Sequence, residues 1–233
     1  MTKRTRKTPA FPEWMGPKLQ NWLHRQRARL EKKDVLVLIT GPEGNGKSSL
    51  AFHLGGWFDP GLDLERIVYS GKEFISLGQR LGARKVRIWD EAKEGGFNRR
   101  AMSGQNVDVA EHLFEARILH QVSLVIWPNI NYLEGVISEH RAVYWILVEN
   151  LGFARLHKLQ RADYKGAKPW HKELFTFDFP EFTAPWWKEY EERKELRARG
   201  KPLNANQADP NGQLIQIRRG ELAGVLRRAL AAG

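Results

Sequence analysis

The chain has 233 residues, no cysteine, and 38 Lys/Arg against 27 Asp/Glu, a formal net charge of +11. That length can bury a substantial core, as one domain with extensions or as two small ones, and the missing cysteines exclude disulfides, thiolate metal sites and cysteine nucleophiles. No apolar run approaches the length of a membrane span and the N-terminus lacks a signal-peptide core, so a soluble, cytoplasmic protein with no membrane span is expected.

Residues 1–13, with Lys3, Arg4, Arg6 and Lys7, read as a flexible basic arm. Over 17–32, Leu19, Trp22, Leu23 and Leu30 form one apolar stripe, with Arg25, Arg27, Arg29 and Lys32 largely off it. This predicts an amphipathic helix with a cationic face, on which Arg25 and Arg29 are candidate nucleic-acid contacts. Residues 1–33 thus form a basic N-terminal extension. From residue 34 the chain alternates strand and helix, which predicts an α/β domain over 34–195 with a mainly parallel sheet flanked by helices.

The apolar run 35–39 is a buried strand that leads into Gly41-Pro42-Glu43-Gly44-Asn45-Gly46-Lys47-Ser48-Ser49. This is the spacing of a phosphate-binding P-loop. Gly41, Gly44 and Gly46 let the backbone wrap tightly, so that successive N–H groups converge on phosphate oxygens. Lys47 brings a point charge to the β/γ-phosphates, and the Ser48 hydroxyl can ligate Mg²⁺. The helix predicted over 47–54 aims its positive end at the same anion. Residues 41–49 are therefore the candidate ATP site. The alternative, a glycine-rich turn of no function, does not account for the strand before the motif and the helix after it.

Gly55, Gly56, Pro60 and Gly61 break the chain before a strand at 66–69, a helix at 72–81 and a strand at 85–89. The last of these ends in Asp90-Glu91, with Asp90 43 residues beyond Lys47. A nucleotide hydrolase needs a carboxylate for its Mg²⁺ and a group to position the attacking water. Asp90, near Ser48 or a metal-bound water, is the candidate for the first role, and Glu91 for the second. The alternative reading of Asp90 is a helix N-cap. Residues 95–104, with Arg99 and Arg100, read as a loop. A helix at 105–119, a strand at 122–127, a short helix at 131–138 and a strand at 142–148 follow, with a further strand at 153–158.

The aromatic-rich segment 169–190 alternates at 175–179, which predicts an extended strap closing the domain; a base-stacking platform is the functional alternative. Residues 196–233 read as a linker at 200–213 and a short amphipathic helix on Leu222, Val225, Leu226 and Leu230. The seven histidines show no tight ligand spacing. Charge is uneven: residues 1–33 sum to +8, 34–185 to −1 and 186–233 to +4. A neutral body with basic ends favours a polyanionic partner, most simply nucleic acid; solvated tails are the alternative.

The strand-helix unit at 66–81, set between the P-loop strand and the Asp-Glu strand, resembles the additional-strand catalytic-glutamate division of P-loop ATPases. Within it, residues 86–148 are similar to HerA/FtsK-type ATPases and their viral relatives. These include the genome-packaging ATPases of tailless, membrane-containing viruses and the zonula-occludens-toxin-like phage proteins. The similarity is carried by Ile88-Trp89-Asp90-Glu91-Ala92, Phe114-Glu115-Ala116-Arg117, Ser123-Leu124-Val125-Ile126-Trp127-Pro128-Asn129 and Ile137-Ser138-Glu139-His140-Arg141.

The resemblance implies a RecA-like P-loop NTPase core with a five-stranded sheet in the order 5-1-4-3-2. It implies catalysis by Lys47 and Glu91, with Asn129 standing where the family commonly carries a sensor glutamine. It also implies a homo-oligomeric ring in which a neighbour supplies an arginine; Arg141 and Arg117 are candidates, and Arg99 and Arg100 could do this or line a DNA channel. The function implied is a viral or phage packaging or translocation ATPase acting on double-stranded DNA, in the host cytoplasm or at a capsid. Three rivals are a toxin-like phage assembly or secretion ATPase, a nucleotide-binding adaptor that does not translocate, and a small-molecule kinase, whose acceptor and lid signatures are not found.

Overall fold

A computed structural model of the chain describes residues 10–90, 112, 116–128, 143–160 and 170–198. The chain divides into two units, Met1–Thr183 and Ala184–Gly233. The first begins with helix α1 (Pro17–Arg29), which buries Leu19, Trp22 and Leu23 along the expected stripe. Pro17 stands at the helix start, where its fixed φ suits the first turn and its missing N–H costs nothing. The helix ends before residue 32 in a turn where the N–H groups of Lys32 and Lys33 share the Arg29 carbonyl, each at 2.9 Å.

The sheet is built from β1 (Val35–Thr40), β2 (Ile67–Val68), β3 (Val86–Trp89), β4 (Val122–Trp127), β5 (Tyr144–Asn150), β6 (Phe153–Gln160) and β7 (Trp170–Asp178). Its order is β2-β3-β4-β1-β5-β6-β7. The first five in that row pair in parallel, while β5, β6 and β7 pair antiparallel. The whole order thus differs from the expected five-stranded one: β5-β1-β4-β3-β2 stand in sequence, and β6 and β7 extend the sheet beyond β5. The cause is local. Gly152 adopts φ +79°, which reverses the chain between Asn150 and its partner Phe153 and folds β6 back along β5. The alternation at 175–179 is the pleat of β7, a strand on the sheet edge where an extended strap was expected.

Helix α2 (Lys47–Phe58) runs through Gly55 and Gly56, where a break was expected. It lies against β1, β3 and β4, so closely that a Cβ at Gly55 would stand 2.9 Å from Leu62 and 3.3 Å from both Val86 and Ile88. The glycine serves close approach to the sheet, not a turn. On the opposite face α3 (Gly71–Arg80) packs Phe74 and Leu77 onto Leu36, Leu38, Trp89 and Trp127. A capping box fixes its start, with Ser70 and Glu73 exchanging backbone and side-chain hydrogen bonds.

The predicted helix at 105–119 does not reach β4 as an α-helix; His112 is helical, but Ala116–Leu119 is a 3₁₀ turn. In the second unit, α4 (Trp187–Ala198) forms where no helix was expected. Its strong helix formers and the Glu189–Arg193 pair at 2.8 Å support it, but its sparse apolar residues give no periodic stripe. Among the described residues no helix is long and apolar enough to cross a membrane.

Candidate functional site

Every residue of β1 is buried, as expected of a central parallel strand covered on both faces. Its last residue, Thr40, accepts a 2.6 Å hydrogen bond at Oγ1 from Trp145 Nε1 of β5. The chain then leaves the sheet through Gly41, Gly44 and Gly46, with φ values of +146°, +80° and +85°. At Gly41 a Cβ would stand 2.1 Å from the Val148 carbonyl oxygen, so no side chain fits. Its N–H donates to the Pro128 carbonyl at 3.3 Å, just past β4. Asn45 Nδ2 donates to the Glu149 carbonyl at 2.7 Å. The loop is therefore held to the carboxyl ends of both strands flanking β1.

Within the loop Lys47 Nζ donates to the Pro42 carbonyl at 2.6 Å. Ser48 Oγ donates to the Asp90 carboxylate, 3.3 Å from Oδ1 and 3.4 Å from Oδ2. Asp90 is fully buried at the end of β3, and its N–H donates to the Val68 carbonyl at 2.9 Å, continuing the β2–β3 ladder. Sheet register thus fixes the backbone of this carboxylate; the alternative reading of Asp90 as a helix N-cap turns on residues 91 onward, which lie outside the described residues.

The donor set suits a nucleotide and a hard cation. Left-handed glycines and the start of a twelve-residue helix with no acidic residue in its first turn favour an anion. Ser48 Oγ and the Asp90 carboxylate are oxygen ligands of the kind Mg²⁺ takes. Among the described residues no group of three or more His, Asp or Glu could hold a metal by itself.

Glu91, Arg99, Arg100, Asn129 and Arg141 lie outside the described residues. Arg117 is exposed in the turn before β4, whose first residue Val122 pairs with Val35 at the start of β1. It therefore sits at the amino edge of the sheet, whereas the P-loop sits at the carboxyl edge. Arg29 is at that amino edge too, its Nε donating to the Asp34 carbonyl at 3.3 Å, and Arg25 is exposed on α1. The structure brings residues 41–48 together with Asp90 and leaves these three arginines apart from them.

Two features escaped the sequence reading. The first is the buttress around the loop. A Cβ at Gly46 would meet Phe179 at 3.3 Å and Leu151, from the β5–β6 turn, at 3.5 Å, while Phe182 packs edge-on against Phe52 of α2. The second is Arg87, fully buried in β3. It donates to Ser123 Oγ at 2.9 Å, to the Phe74 carbonyl at 3.0 Å and to His112 Nε2 at 2.8 Å. Its guanidinium lies 4.0 Å from the centre of the Phe74 ring. Burial, reinforced by the Arg87 charge, pushes the His112 pKa down to about 4, which keeps the imidazole neutral and able to accept. One charged residue in a four-residue apolar strand was the only trace of this in the sequence. Compared with protein-family models and with curated proteins, the chain matches none.

Proposed function

We propose that this chain is an ATP-hydrolysing nucleic-acid motor, a viral or phage packaging or translocation ATPase that acts on double-stranded DNA as a homo-oligomeric ring. The observation that carries the hydrolytic half is the approach of Ser48 Oγ to the Asp90 carboxylate within 3.3–3.4 Å, between residues 42 apart in the chain. A glycine loop alone binds phosphate; a buried carboxylate brought to its serine adds a ligand for the ion that phosphoryl transfer needs. The run β5-β1-β4-β3-β2 within the larger sheet supports a RecA-like P-loop core.

In this reading the loop N–H groups and Lys47 bind the β/γ-phosphates, and Ser48 and Asp90 hold Mg²⁺ with them. When bound, Mg²⁺ neutralises charge that develops on the phosphoryl oxygens. Glu91, adjacent to Asp90 in the chain, orients the attacking water and takes its proton. Asn129 is the proposed γ-phosphate sensor, and Arg141 or Arg117 of a neighbouring subunit completes the site. The DNA half rests on the charge distribution, +8 over residues 1–33 and +4 over 186–233 around a body of −1.

The test is the ATPase rate with and without double-stranded DNA, for the wild type and Glu91→Gln. Stimulation by DNA in the wild type, lost in the variant while ATP still binds, is the expected result. ATP binding with a negligible, DNA-indifferent rate would replace the motor with a nucleotide-binding adaptor.

A further inference from the structure

Three loops that feed adjacent strands meet at the amino edge of the sheet, away from the P-loop. They are residues 29–34 before β1, 78–85 before β3 and 116–122 before β4. Hydrogen bonds tie them into one surface. The Val35 N–H donates to the Gln121 carbonyl and the Val122 N–H to the Lys85 carbonyl, both at 2.9 Å, and the Arg84 N–H donates to the His120 carbonyl at 2.8 Å. His120 Nδ1 meets the Leu30 carbonyl at 2.8 Å, and Gln121 Nε2 donates to the Gly78 carbonyl at 2.9 Å. Arg84 and His120 hold φ values of +62° and +53°, a conformation that side chains rarely adopt and that the surrounding bonds enforce.

These loops carry seven Lys/Arg and two Asp/Glu; the part of them within residues 34–185 holds four Lys/Arg and one Asp, although that stretch as a whole sums to −1. One of the two acids, Asp34, is buried, and the other, Glu31, pairs with Arg84 at 2.5 Å. Lys85 pairs with Asp59 at 3.1 Å. Lys32, Lys33 and Arg80 are exposed, and among the described residues none of the three has an acidic partner. Part of this charge answers the carboxyl ends of α1 and α3, with Arg29 and Arg80 in their last turns. Lys32 and Lys33 lie beyond those turns, so the basic residues in the last helical turns do not include them.

We infer that this amino-edge surface is a docking face for the phosphate backbone of a duplex nucleic acid, with Lys32, Lys33 and Arg80 among its phosphate contacts. The inference rests on the nucleic-acid half of the proposed function and not on ATP hydrolysis. It puts the polyanion on the opposite edge of the sheet from the nucleotide. Phosphate contacts of this kind are sequence-independent and weaken steeply with salt.

The test is fluorescence anisotropy of a labelled DNA duplex of about 30 base pairs, titrated with full-length protein over a salt series. A matching RNA duplex distinguishes the two nucleic acids. Removing one phosphate-binding cation should lower the slope of log K against log salt by about 0.9. The triple variant Lys32→Ala/Lys33→Ala/Arg80→Ala should therefore have a slope shallower by about 2 or more and bind at least about 30-fold more weakly near 0.1 M salt. The control is Lys18→Ala/Lys72→Ala, which removes exposed lysines at the amino ends of the same two helices; it should bind like wild type.

Unchanged affinity in the triple variant overturns the inference, as does an equal loss in the control. A lowered melting temperature with unchanged affinity assigns these residues to helix-end pairing and overturns it too. If the wild type fails to bind duplex at low salt, the DNA partner falls as well, whatever the ATPase rate.

Discussion

Gly41 is where the loop leaves the sheet, and its backbone presses on the neighbouring strand with no space between them. A Cβ there would sit 2.1 Å from the Val148 carbonyl oxygen, so Gly41→Ala must push β1 and β5 apart at the mouth of the site. Backbone cannot yield as a side-chain tip does, and overpacking of this kind costs about 1–3 kcal/mol or more. We expect Gly41→Ala to lower urea-unfolding stability by at least about 2 kcal/mol and to weaken ATP binding, read by denaturation and by calorimetry. Gly44→Ala separates the two effects. Nothing lies within 4 Å of a Cβ there, and only the cost of φ +80° remains, about 1 kcal/mol. The motif residues were legible because chemistry fixes their spacing. Val148, which makes Gly41 obligatory, was not, because that contact depends on which strand becomes the neighbour.

Elements are joined at their ends by charge as well as by packing. Asp59, just past α2, pairs with Arg66 of the 3₁₀ turn at 64–66 and with Lys85 before β3, and it accepts the Gly61 N–H at 3.3 Å. Burial alone would raise its pKa, but the Lys85 hydrogen bond and the Arg66 charge outweigh burial and hold it below the ordinary carboxylate value. Because the folded pKa is the lower one, its stabilisation is present above about pH 4 and fades as pH falls through the folded value. Asp59→Asn should cost about 1–3 kcal/mol at pH 7 by thermal unfolding, with the difference from wild type shrinking below pH 4. The α2–β3 join it serves was invisible in the sequence, where Gly55, Gly56, Pro60 and Gly61 looked like one long break. Strand and helix alternation located β1 to β5, α2 and α3 to within a few residues, since period and apolar content are local; the short helix expected at 131–138 lies outside the described residues. The identity of β7 and the length of α2 depend on partners far along the chain.

For the molecule as a whole, pH dependence below neutrality should be dominated by histidine. His53, His112 and His157 all have lowered pKa values, in each case chiefly through burial. Between the unfolded value near 6.5 and the folded values the unfolded chain binds more protons, so stability falls as pH falls across that window. Melting temperature should drop from pH 7 to pH 5. His112→Gln, which keeps an acceptor for Arg87, should remove on the order of 2 kcal/mol of the pH 7-to-4 loss; a pH profile parallel to wild type would contradict the assignment. The clamped loop has a mechanical corollary. On the β5 side, the close approach of Gly41 to the Val148 backbone and the 2.7 Å Asn45–Glu149 bond make the tighter joint. On the β3 side the Ser48 hydroxyl meets the Asp90 carboxylate at 3.3–3.4 Å, a longer and more compliant contact than the 2.7 Å bond. Strain arising at the loop would deform the β3 side first, and Trp89, stacked on Phe74 of α3 at 5.3 Å and one residue before Asp90, is where it would enter the rest of the sheet.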